Sequence, residues 1–106
     1  MRRLLYIVSL IAALNSLELK AQIDTDRMSI IGRNALYFED YILAIQYFNQ
    51  IIKAKPYLSE PYYYRAIGKY SLDDLKGAEQ DLSTSLEINP YNVDAYNLRG
   101  IVRQKL

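Results

Sequence analysis

The stretches 56–66, PYLSEPYYYRA, and 90–100, PYNVDAYNLRG, lie 34 residues apart and share proline, two tyrosines and arginine at the same positions. A proline cannot continue a helix, and it pushes the residue before it out of the helical region. Each stretch therefore marks the end of one helix and the approach to the next. Self-similarity at a fixed period of this length is typical of repeat architectures.

The 34-residue offset continues through the rest of the chain. Small residues align with small residues, and large apolar residues align with large ones. The aligned sets are Met28 with Tyr62 and Tyr96, Gly32 with Ala66 and Gly100, Ala44 with Ala78, and Phe48 with Leu82. A stacked array needs such size matching, because each unit buries its apolar face only against copies of itself. The pattern predicts two units and a third that stops halfway, at Leu106.

Apolar residues recur at helical spacing in the repeat region, and no segment alternates as a strand would. The clearest series are Met28, Ile31, Ala35 and Phe38, followed by Tyr41, Ile45, Phe48 and Ile52. We predict five helices here, with breaks near 39–40, 56–59, 73–74 and 89–92. Polar residues at the breaks favour the amino-terminal ends of the helices that follow. These residues are Asp40, Ser59, Asp74 and Asn92.

The first 21 residues differ in character from the repeats. Arg2 and Arg3 precede an apolar run, 4–14, and the small residue Ala21 closes the segment. Such a basic start, short apolar run and small boundary residue are typical of a secretory signal peptide. We expect cleavage after Ala21, a short polar joint at 22–26, and a periplasmic or secreted protein. The alternative is an uncleaved segment that anchors the protein to a membrane.

Composition argues against catalysis and metal binding. The chain has no cysteine and no histidine, so it lacks disulfides, the commonest general base and the commonest metal ligand. We expect no enzyme activity, no metal and no cofactor. Removal of residues 1–21 leaves 10 basic and 11 acidic residues. The resulting net charge of −1 disfavours nucleic acid and anionic membrane surfaces as partners.

The repeat unit resembles the tetratricopeptide repeat. The match consists of Met28-x2-Ile31-Gly32, Ala44-x3-Phe48 and Pro56 in the first unit, Tyr62-x2-Arg65-Ala66, Ala78-x3-Leu82 and Pro90 in the second, and Tyr96-x2-Arg99-Gly100 in the third. The resemblance implies an all-α fold of stacked antiparallel helix pairs, an α-solenoid wound as a right-handed superhelix. Its five helices follow the signal helix. The units span approximately 25–58, 59–92 and, in part, 93–106.

One position departs from the family pattern. The aromatic residue expected three residues after Gly32 is Ala35, and the equivalent residues are Lys69 and Arg103. We expect these substitutions to loosen the contacts of the first helix in each pair.

The resemblance also implies a binding surface. The first helices of stacked tetratricopeptide units line a concave groove, and groove residues spaced by four and then three share one helix face. The corresponding residues are Ser29, Arg33 and Leu36, then Tyr63, Ile67 and Tyr70, then Asn97, Ile101 and Gln104. Tyr63 and Tyr70 are expected either to contact an extended peptide or partner helix, or to pack between helices. Arg33 either anchors an acidic side chain or is a solvated surface charge.

A chaperone-tail clamp is not expected. Family members that grip the terminal carboxylate of chaperone tails use lysine, asparagine and arginine residues. The corresponding positions hold Ser29, Arg33, Tyr64, Asp94 and Leu98. Only Arg33 suits a carboxylate, and Asp94 would repel one.

We therefore expect a scaffold or adaptor that binds a peptide or protein segment along the concave face. A second hypothesis is a structural module that self-associates through its last helix, with Leu98, Val102 and Leu106 covering a second copy. A third is a fragment of a longer array. Together with Ala95, the residues Leu98, Val102 and Leu106 form one apolar stripe on the last helix, and this stripe is also suited to capping the array.

Overall fold

The computed structural model describes the backbone of residues 1–106 and all side chains except those of residues 18 and 21–23. Helices account for nearly all of the described chain, and no strand occurs in it. The helices are α1 Arg2–Tyr37, α2 Tyr41–Ala54, α3 Ser59–Ser71, α4 Leu75–Ile88 and α5 Val93–Lys105. All four predicted breaks in the repeat region are confirmed. They coincide with the connections between these helices.

The prediction of a separate amino-terminal helix is wrong. Helix α1 runs without interruption from Arg2 to Tyr37, through the segment 22–26 where a joint was expected. The physical reason is that no proline or glycine precedes Gly32, so nothing in the sequence stops the helix. The five helices therefore include the amino-terminal segment. The predicted cleavage point after Ala21 lies outside the residues whose side chains are described.

The amino-terminal part of α1 has exposed apolar side chains on all sides. Leu5, Ile7 and Leu10 are 69%, 54% and 64% exposed. A helix with apolar residues all round is normally buried or in lipid. In this structure the repeats leave these side chains exposed. Among the described residues, no helix combines the length and apolar character that a membrane crossing needs.

Each remaining helix packs on its neighbours in sequence. One buried cluster joins α1 to α2 and consists of Ala35, Ala44, Phe48 and Ile51, with Tyr64 of α3 packed against it. A second cluster joins α3, α4 and α5 and consists of Ala66, Ala78, Leu82, Leu86, Ala95 and Val102. Since α2 also contacts α3, the two clusters form a continuous stack, as expected for a repeat array.

Small residues on the first helix of each pair admit a bulky side chain from the second. A Cβ added to Gly32 would lie 2.8 Å from Cζ of Phe48, which is closer than side chains normally pack. In the second pair, Ala66 lies in one buried cluster with the smaller Leu82. The larger Phe48 thus packs on glycine in the first pair, and the smaller Leu82 shares its cluster with alanine in the second.

Three of the four predicted caps are confirmed. Each side-chain oxygen accepts a hydrogen bond from the backbone N–H three residues later. The pairs are Asp40 with Leu43 at 3.3 Å, Asp74 with Gly77 at 3.0 Å, and Asn92 with Ala95 at 3.1 Å. Before the two aspartates, Glu39 and Asp73 both have positive φ, at 61° and 65°. The turn within each pair is therefore built in the same way.

Ser59 is not a cap, contrary to the prediction. Leu58 holds the cap position of α3, and Ser59 is the first residue of the helix. Its hydroxyl donates to the backbone oxygen of Ser85 at 2.8 Å, and the hydroxyl of Ser85 donates to the backbone oxygen of Ser59 at 3.1 Å. The hydroxyl therefore joins α3 to α4 across the core instead of serving its own helix.

Lys69 and Arg103, which stand where the aromatic residue was expected, each form an ion pair with α4. Asp81 is only 4% exposed, yet it accepts from Arg65 Nε at 2.8 Å and lies 3.0 Å from Lys69 Nζ. Arg65 also reaches Asn49 of α2 at 2.9 Å, so this network connects three helices. A buried carboxylate needs such partners to offset its lost hydration.

The apolar stripe of α5 packs inward on α4. Ala95 and Val102 are fully buried, and Leu98 packs against the same cluster. Only Leu106 is largely exposed, at 55%. Leu98 and Val102 therefore serve the cap and are not available to cover a second copy, which corrects the residue assignment of the self-association hypothesis.

Candidate binding groove

Three helices carry the predicted groove residues, and we call their shared surface the groove face. They are the carboxyl-terminal part of α1, α3 and α5, which occupy equivalent places in the repeats. Helix α1 contacts α3 directly, and α5 reaches α3 through Lys105, whose Nζ donates to the Tyr70 hydroxyl at 2.7 Å. Side chains of successive units thus lie side by side on the groove face.

Aromatic rings form the centre of the groove face. The ring centroids of Tyr63 and Tyr64 are 5.4 Å apart. Tyr64 also stacks on buried Phe48, at 5.5 Å and 20°. The guanidinium carbon of Arg33 lies 5.8 Å from the centre of the Tyr64 ring. Tyr64 therefore connects the core to the groove face and supports Arg33 by a cation–π contact.

The position of Arg33 combines features of both expectations. Its side chain is exposed, as a solvated charge would be, but the ring beneath it restricts where the charge can lie. Tyr64 was expected only to be a poor clamp position, and its role as a support was missed. The run Tyr62, Tyr63, Tyr64 predicts aromatic side chains on several sides of one helix. Spacing alone does not show which of these rings reaches the preceding unit.

Tyr63 and Tyr70 pack against the core and still reach the surface. Both rings are half-buried against the cluster that joins α3, α4 and α5. Burial raises the pKa of the Tyr63 hydroxyl above its ordinary value of 10.0, and the negative charge of Asp94 raises it further. Rigid rings held in this way present an apolar surface with a polar tip.

The α5 members of the predicted set differ from those of α3. Asn97, Ile101 and Gln104 are exposed, whereas Ile67 is half-buried. In the part of the chain that the structure describes, no hydrogen bond, ion pair or ring contact joins the three α5 residues to the tyrosines. On α1, Ser29 and Leu36 are half-buried, and Leu36 packs against the first cluster.

A pocket of about 300 Å³ lies between α1 and the start of α3. Its lining includes Asp26, Ser29, Ile51, Leu58, Glu60 and Pro61. Ser29 is one of the predicted groove residues, so the pocket lies at the edge of the groove face. The pocket was not predicted from the sequence, although acidic residues recur at the 34-residue offset in Asp26, Glu60 and Asp94. No group of three or more described acidic side chains is arranged to hold a metal ion.

Solved structures similar to this chain are tetratricopeptide repeat domains. One is the first such repeat domain of Spaghetti (RPAP3) bound to the HSP90 peptide SRMEEVD, with a TM-score of 0.74 and 18% identity over 76% of this chain. Another is the Arabidopsis OM64 domain, with a TM-score of 0.75 and 27% identity over 77% of this chain. This chain spans 64% of the Spaghetti chain and 68% of the OM64 chain.

No protein-family model matches the sequence, and a search of curated proteins finds no match. The structural similarity confirms the predicted all-α, tetratricopeptide-like fold.

Titration of Tyr63 tests the geometry of the groove face. The folded state holds this phenolic proton more tightly than the unfolded chain does, because the pKa is raised above 10.0. The tighter binding of this proton stabilises the folded state below pH 10.0, and that stabilisation is lost as the pH rises through the raised pKa of Tyr63. We expect Asp94→Asn to lower the pKa of Tyr63 but to leave it above 10.0, since burial is the larger cause.

NMR of the Tyr63 ring carbons measures this pKa directly. Asp73→Asn is the matched control, because it removes a carboxylate at the far end of α3 and should leave the pKa of Tyr63 unchanged. An equal response to both substitutions would show that the charge of Asp94 has no specific effect on the pKa of Tyr63.

Proposed function

We propose that this protein is an interaction module that binds a peptide or protein segment along its groove face, the concave side of the repeat array. The observation that carries the proposal is the arrangement of Tyr63 and Tyr70, which are fixed against the core while part of each ring is exposed. Fixed aromatic side chains lose little entropy on binding and are enriched among residues that dominate interfaces. The peptide bound to the similar Spaghetti domain supports a peptide as the kind of partner.

Arg33 adds a charged contact to this surface. The Tyr64 ring beneath it restricts the guanidinium, so binding an acidic or carbonyl group costs less ordering than it would for an unsupported arginine. Glu60 and Asp94 lie in the first turns of α3 and α5. Because Asp94 adds negative charge in the first turn of α5, a strongly acidic peptide is a poor partner for this part of the groove face.

Peptides selected from a random 12-residue display library against the purified protein test the groove. We expect Arg33→Ala with Tyr63→Ala to weaken their binding at least 10-fold, about 1.4 kcal/mol, because both contacts are lost. Fluorescence anisotropy gives the affinity, and circular dichroism shows whether helicity is retained. Tyr91→Ala is the matched control, since this tyrosine is 87% exposed in the connection before α5.

Unchanged affinity in the Arg33 and Tyr63 variant would reject the groove face. If no peptide is selected and sedimentation shows concentration-dependent dimers, the self-association hypothesis is favoured instead. On the last helix, Tyr96 and Leu106 are exposed apolar side chains that such a dimer could cover, at 45% and 55%.

We also propose that residues 1–21 are a signal peptide and that the protein acts in the periplasm or outside the cell. Arg2 and Arg3 precede a segment, 4–14, whose large apolar side chains are exposed, as expected of a removable segment. Intact-mass measurement of the protein exported from cells expressing the full chain checks this. We expect a mature chain that begins at Gln22, whereas full-length protein in the membrane fraction would support the uncleaved anchor.

A further inference from the structure

The pocket at the edge of the groove face has an apolar interior and an acidic mouth. Ile51 and Pro61 are buried, and Leu58 is half-buried, so these three side chains form its apolar wall. Asp26 and Glu60 line the same pocket but are exposed, which places their carboxylates towards solvent. Such a surface suits a group with an apolar stem and a cationic end.

We propose that this pocket holds a lysine or arginine side chain of the bound segment. The inference rests on the proposed groove, which it deepens by naming the chemistry of one anchor residue. Lysine and arginine bury their methylene stems along apolar surface while their charged ends stay near water. The stem would lie against Ile51 and Leu58, and the cation would lie beside the carboxylate of Glu60.

The charges around the pocket favour a cation. Among the described residues that line it, none is a lysine or an arginine. The start of α3 contributes a partial positive charge of about half a unit, which opposes a cation. Glu60 lies in that same first turn and carries a full negative charge, which outweighs the partial charge of the helix end. Arg33 lies about two helical turns after Asp26 on α1, and its guanidinium lies over the Tyr64 ring.

The size of the pocket also fits one long side chain. Its volume of about 300 Å³ is large enough to admit a lysine or arginine side chain. Ser29 and Ser59 add hydroxyl groups to the lining. The Ser59 hydroxyl already bonds Ser85, so it is held in place and the lining at that point is fixed. A preformed pocket needs little rearrangement to accept an anchor residue.

Binding of three small probes to the full chain tests the proposal. The probes share one backbone and differ only in the side chain. They are N-acetyl-lysine methylamide, its norleucine analogue, which keeps the stem without the charge, and its glutamate analogue. We expect the lysine probe to shift the NMR amide signals of Ser29 and Glu60 and to bind at least fivefold more tightly than norleucine at low salt. The preference should shrink as salt is raised, since the carboxylates are exposed.

Glu60→Gln should remove most of the lysine preference while leaving norleucine binding unchanged. Glu87→Gln is the matched control, because Glu87 is an exposed carboxylate on α4 that is not among the described residues lining the pocket. Equal binding of lysine and norleucine, tighter binding of the glutamate probe, or no shift at the pocket with any probe would each overturn the proposal.

Failure here is distinguishable from failure of the groove. Loss of lysine preference leaves the effect of the Arg33 and Tyr63 substitutions on selected peptides untouched. Conversely, lysine binding in the pocket together with unchanged peptide affinity in that variant would support the pocket and reject the groove face.

Discussion

The close approach of α1 and α2 at Gly32 is the constraint on which the rest of the array depends. The ring of Phe48 occupies the space that a side chain at position 32 would need. Ala66 and Leu82 share a buried cluster at the equivalent positions of the next pair. The two pairs stack on one another through α2 and α3, and their first helices carry Arg33, Tyr63 and Tyr70.

Helix α3 is the most tightly held part of that surface. It contacts both α2 and α4, and the ion pairs of Arg65 and Lys69 with buried Asp81 fix it from one side. The reciprocal hydrogen bonds between Ser59 and Ser85 fix its start. Side chains on so constrained a helix need little further ordering to bind. This explains why the proposed anchors Tyr63 and Tyr70 both lie on α3.

The sequence predicted the helix boundaries well because they depend on local chemistry. Prolines 56 and 90 and the capping residues Asp40, Asp74 and Asn92 act within a few positions of themselves. The period of 34 residues then predicts which helices are equivalent. The joint at 22–26 was not observed, since polarity alone does not end a helix that lacks proline and glycine.

Features that depend on another helix were missed. Ser59 bonds Ser85, Lys69 pairs with Asp81, and Tyr64 stacks on Phe48. Each partner is at least 12 residues away in the chain, so helical spacing does not reveal it. The pocket was missed for the same reason, because its lining comes from residues 25–61 of three helices and a connection.

A double-mutant cycle at Gly32 and Phe48 tests the central constraint most directly. Urea unfolding followed by circular dichroism gives the free energy of unfolding of Gly32→Ala, Phe48→Leu and the double variant. In the native background, the added methyl group should cost about 1 to 3 kcal/mol of overpacking, against about 1 kcal/mol gained in helix propensity. With the smaller leucine side chain opposite, as Leu82 accompanies Ala66, that cost should disappear and the coupling should exceed about 1 kcal/mol.

Gly100→Ala is the control, because no atom lies within 4 Å of a Cβ added there, and it should stabilise the protein by about 0.5 to 1 kcal/mol. Effects of Gly32→Ala and Phe48→Leu that simply add within about 0.5 kcal/mol would contradict the account, since the two positions would then not be in close contact.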